Sequence, residues 1–213
     1  MSAESWGLGS GDEIDPSLVV LERLGGGSRY EVFRAWDRDL FCQVAVKVVR
    51  PHRLEDERAL SAFEREVAIA ARLQHPNLVR LLRWEVGSRP DMVLGLVEDG
   101  SLAEHLDEVG PVSVPEACLL GIRMAAALEF LHRNDVLHLD VKPANVTIGH
   151  PPVLLDLGLA RAVSERQKLR GPVGTPRYMP PEQCEAGWIT AASDVYARGV
   201  DPACGGGQRR RAN

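Results

Sequence analysis

The stretch "HLDVKPANV", His138 to Val146, sets an aspartate, a lysine and an asparagine within six positions, Asp140 to Asn145, between two apolar segments. A loop of solvated polar residues is the simplest explanation, but Pro143 fixes the turn between the ammonium and the amide. Downstream, "PVLLDLGLA" (152–160) places a second carboxylate, Asp156, at the end of an apolar strand and two residues before Gly158. Two carboxylates, an ammonium and an amide in this order point to a chemical site.

Upstream of the stretch lies the strongest helix signal in the chain. Ser113 with Glu116 three residues later can form a capping box, Pro115 suits a first turn, and Ala117, Leu120, Met124, Leu128 and Leu131 line one face. Further back, "LVVLERLGGG" (18–27), "EVFRAWD" (31–37) and "QVAVKVVR" (43–50) read as strands, the first two around a glycine turn. Leu60, Phe63, Val67 and Ala70 recur at helical spacing between Glu57 and Leu73. "LVRLLRWEV" (78–86) and "DMVLGLVE" (91–98) then complete an expected five-stranded antiparallel sheet.

Bulk properties bound the rest. A chain of 213 residues with 45% hydrophobic content can bury a sizeable core. Its net charge of −5 argues against a nucleic-acid partner, which would demand a basic face. Cys42, Cys118, Cys184 and Cys204 are scattered, with no zinc-like spacing, and no segment has the length to span a bilayer. A soluble, cytoplasmic chain is expected. Residues 1–17, rich in Gly, Ser and acidic residues, read as a mobile leader.

Two further features become informative together. Glycines between strands let backbone N–H groups approach phosphates, as "LGGGSRYEV" (24–32) would allow, although taken alone they are better explained by an ordinary hairpin turn. Lys47 sits between Val46 and Val48, where a buried charge needs a partner, and Glu66 on the following helix could supply one.

Taken in order, these motifs resemble the eukaryotic-type protein kinase family, in its serine/threonine branch and bacterial-like form. The resemblance runs from about Leu18 to Val200 and includes "GTPRYMPPE" (174–182) and "SDVY" (193–196). It implies an α+β, two-lobed fold: a small antiparallel sheet with one helix at 18–98, and a mainly helical lobe at 99–200. It also implies ATP and Mg²⁺ as cofactors and a protein substrate whose serine or threonine hydroxyls accept phosphate.

By that similarity Asp140 orients the attacking hydroxyl and Lys142 offsets charge on the transferred phosphoryl group, where positioning and electrostatics dominate. Asn145 and Asp156 would ligate Mg²⁺. Leu24, Gly25, Gly26, Gly27 and Val32 would cover the nucleotide, Lys47 with Glu66 would hold its phosphates, and Gly95 and Val97, past a gatekeeper Leu94, would offer backbone groups to adenine.

The chain departs from the family in three respects. Tyr30 stands where the third glycine of the nucleotide loop belongs. Leu139 replaces an arginine that pairs with a phosphorylated activation segment, and Ser164 is the only hydroxyl between Leu159 and Val173. Beyond "ARGV", residues 201–213 contain no Val, Leu, Ile or aromatic residue, so the second lobe is expected to lack its last helices and end in a disordered tail. The alternative reading is therefore a truncated, catalytically impaired nucleotide-binding or interaction module.

Overall fold

Strict alternation in 30–37 and 42–49 places two sets of side chains on opposite faces of a sheet, and the fold of the first unit follows from covering both. The computed structural model describes residues 4–162, 169, 171–185 and 187–199. It divides into two compact units, Met1–Arg72 with Arg80–Glu98, and Leu73–Val79 with Asp99–Asn213. The expected tail 201–213 and Ser164 lie outside the described residues.

In the first unit, β1 (Glu13–Asp15), β2 (Leu18–Gly26), β3 (Tyr30–Asp37), β4 (Cys42–Val49), β5 (Leu81–Glu85) and β6 (Asp91–Gly95) form an antiparallel sheet in the order β1-β2-β3-β4-β6-β5. One face packs Tyr30, Val49 and Met92 against Phe63 and Val67 of α1 (Glu57–Ala70). Asp56 caps α1 by accepting from Arg58 N and Ala59 N.

The other face carries Val20, Phe33, Ala35, Val44, Val46, Val48 and Val93, all essentially buried. Burying a side chain of this size contributes roughly 1.5–3 kcal/mol. This second face corrects two expectations. Six strands form where five were read, and the supposed mobile leader packs on the sheet: Ile14 joins the cluster while Trp6 and Leu8 pack against it. Its composition masked three apolar side chains placed to cover an otherwise bare face. Trp6 Nε1 also donates to the Val49 carbonyl at 2.8 Å, and Ser5 Oγ to Glu31 at 2.8 Å.

The second unit contains α2 (Leu102–Glu108), α3 (Val114–Arg133), the two-stranded pair β7 (Val136–Leu137) and β8 (Arg161–Ala162), α4 (Pro181–Cys184) and α5 (Ala191–Gly199). The capping box at Ser113 and Glu116 forms, and α3 buries Leu120, Met124, Leu128 and Leu131 of the expected stripe, with Ala117 half-buried. A second capping box, Ser101 with Glu104, starts α2. Among the described residues, no helix is long and apolar enough to cross a membrane.

Candidate active site

Register in the first unit decides where the charged pair falls. Lys47 stands opposite Val32 on one side and Met92 on the other, on the face that meets α1. Lys47 Nζ donates to Glu66 Oε1 at 2.5 Å, with the lysine 7% and the glutamate 4% exposed. Pairing is what makes two charges tolerable at that depth.

The glycine turn has one strict requirement. Gly26 adopts φ +145°, and a Cβ there would lie 2.5 Å from the Tyr30 carbonyl oxygen. The turn closes with Gly27 N donating to that carbonyl at 3.1 Å, while Leu24 remains exposed and Val32 half-buried. Gly95 donates its N–H to the Arg80 carbonyl at 2.8 Å, so that amide is committed. Val97 lies just past β6 and is half-buried.

In the second unit the opening stretch converges on Asp140. Lys142 Nζ donates to Asp140 Oδ2 at 2.7 Å, and Asn145 Nδ2 donates to the same oxygen at 3.1 Å and to the Asp140 carbonyl at 2.9 Å. Thr175 Oγ1 donates to Asp140 Oδ1 at 2.8 Å and accepts from Lys142 Nζ at 2.9 Å. Sequence reasoning left Thr175 out of the site; its signal was a hydroxyl inside "GTPRYM".

His138 to Lys142 lack regular structure ahead of the short 3-10 turn at Pro143–Asn145, so their shape comes from remote side chains. Asp194 on α5 accepts from His138 N at 2.9 Å, from Leu139 N at 2.8 Å, and shares a 2.9 Å bond with His132 Nε2. Gln183 Nε2 donates to the Leu139 carbonyl at 2.9 Å. Leu139 is thereby held at φ +66°, a conformation unfavourable for a branched side chain, and is buried. Neither Asp194 nor Gln183 was singled out for this role, because their partners are backbone groups 44 to 56 positions away.

The donor set suits a hard divalent cation. Both amide hydrogens of Asn145 face Asp140, which leaves its oxygen as an outward donor, and Leu155 N donates to the Asn145 carbonyl at 2.7 Å. That bond ties the residue preceding Asp156 to Asn145, and Asp156 itself is exposed and at φ +58°. An amide oxygen and a carboxylate are the ligand types Mg²⁺ prefers.

The first unit thus carries a buried lysine–glutamate pair and the second an Asp-Lys-Asn cluster, the residue types on which phosphoryl transfer relies. The protein kinase domain family matches residues 18–202, and the chain belongs to that family. It is 32% identical to the serine/threonine-protein kinase PrkC of Bacillus subtilis over 197 residues, 89% of this chain and 30% of that protein. It is 33% identical to the serine/threonine-protein kinase PknB of Mycobacterium leprae (83% of this chain, 30% of that protein) and 34% identical to the serine/threonine-protein kinase PkaA of Streptomyces coelicolor (88% and 38%). The chain thus spans about a third of the length of these curated relatives.

Proposed function

We propose that the chain transfers the γ-phosphoryl group of ATP to serine or threonine hydroxyls of a protein substrate. The observation that carries this reading is the Asp140 network, in which Lys142, Asn145 and Thr175 all bond one carboxylate. Asp140 has its orientation fixed through both oxygens and remains able to accept the proton of an incoming hydroxyl. Lys142 brings a cation beside that carboxylate, where charge develops on the transferred group. Lys47, oriented by Glu66, serves the α- and β-phosphates, and the Leu24–Val32 turn covers them.

Asn145 and Asp156 would hold Mg²⁺, which would supply positive charge against the phosphate oxygens. Gly95 and Val97 would offer backbone groups to adenine, the Gly95 amide being already donated to the Arg80 carbonyl.

The test is phosphate transfer from Mg·ATP to a serine/threonine peptide library, comparing the chain with Asp140→Asn. Transfer is expected to fall by a factor of about 10² or more in the variant, with Mg·ATP still raising the melting temperature of both. A thermal shift in both proteins without transfer in either would overturn the kinase reading and favour a nucleotide-binding module.

A further inference from the structure

One residue of the nucleotide turn does something its position does not require. Tyr30 opens β3 opposite Val49, where the resemblance leads one to expect glycine, and its ring does not project into solvent: the residue is 8% exposed. Its hydroxyl donates to Glu66 Oε2 at 2.9 Å, while Lys47 Nζ donates to Oε1 of the same carboxylate. The ring centroid lies 4.5 Å from Lys47 Nζ, within cation–π range. A single side chain therefore touches both members of the ion pair, one through its face and the other through its hydroxyl.

The chemistry favours a positioning role. A buried phenol needs a hydrogen-bond partner, and a buried ion pair needs its remaining lone pairs satisfied if it is to hold one geometry. Tyr30 meets both demands at once, and Phe63, Val67, Val49 and Met92 surround it, so its own orientation is fixed by packing. We infer that Tyr30 is a positioning residue that clamps Glu66 onto Lys47 from the nucleotide turn and keeps α1 in its engaged position before any nucleotide arrives. The role in catalysis rests on the kinase reading above; the clamp itself concerns the free protein. It gives the chain a means of assembling the pair without a phosphorylated activation segment, consistent with an apolar, buried Leu139 beside Asp140.

The test uses the full chain and three variants, Tyr30→Phe, Glu66→Ala and the double variant. Phenylalanine keeps the packing and removes only the hydroxyl. Amide hydrogen exchange across Glu57–Ala70 in the free protein should speed up on the order of tenfold in Tyr30→Phe, as expected for loss of a bond to a charged group. It should be no faster in the double variant than in Glu66→Ala. In the transfer assay, kcat/KM should fall about tenfold in Tyr30→Phe, and adding that change to Glu66→Ala should alter kcat/KM less than about twofold. Tyr30→Phe matching the unaltered chain, or two losses that multiply in the double variant, would overturn the clamp and leave Tyr30 a packing residue. If the unaltered chain transfers no phosphate, the kinase reading fails, and hydrogen exchange alone decides the clamp.

Discussion

The sheet region and the catalytic-loop region hold their charged groups by opposite means. Lys47 is placed by strand register, with Val32 and Met92 as neighbours on either side, and would point to the same face in any sequence that kept the ladder. Asp140 is placed by no ladder: its loop is shaped by Asp194, Gln183 and Asn145 bonding to backbone groups. The first arrangement spreads its support over many equivalent bonds, whereas the second concentrates it in a few irreplaceable side chains.

The widest gap between the regions should show at their buried carboxylates. Asp194→Ala leaves the amides of His138 and Leu139 buried without their acceptor, at a cost of roughly 2–5 kcal/mol. Hydrogen exchange should rise through 138–146 while β3 and β4 keep their protection; equal loss in both regions would break the comparison.

Asp91, in the sheet, is the reverse case. It is 2% exposed, its Oδ1 has no hydrogen-bond partner among the described residues, and burial, with help from the charges of Asp15 and Glu85, pushes its carboxyl up from 3.8 to about 7. A carboxyl whose folded pKa is raised binds its proton more tightly in the folded state, so its contribution to stability falls as pH rises from about 4 to about 7 and stays low above that. Asp91→Asn should therefore stabilise the chain at pH 8 by roughly 1–2 kcal/mol after screening. That gain should vanish near pH 4, as chemical denaturation at the two pH values would reveal.

The smallest effect is expected where support is local and solvent-exposed. Ser113→Ala removes the capping box of α3 and should lower the melting temperature by about 2–4 °C, with kcat/KM unchanged.

The same contrast explains what could be read from the residues alone. Lys47, Glu66 and the α3 stripe follow from periods of two and of three to four, which a single sequence displays. The Asp-Lys-Asn spacing in the opening stretch was legible because its partners are neighbours in the chain. Thr175, Asp194 and Gln183 were not assigned their roles, because bonds to side chains or backbone groups many positions away leave no periodic trace. Tyr30 was noticed as a departure from the family pattern, yet only its burial against Lys47 and Glu66 gave the departure a role.

The segment from Trp6 to Ile14 separates two boundaries that are easily taken as one. Family similarity begins at residue 18, but the second face of the sheet is finished by Trp6, Leu8 and Ile14, all ahead of that point. The stretch that can be recognised is shorter than the stretch that must fold together. A fragment trimmed to its recognisable part would carry an uncovered aliphatic surface into water, and such a surface promotes self-association.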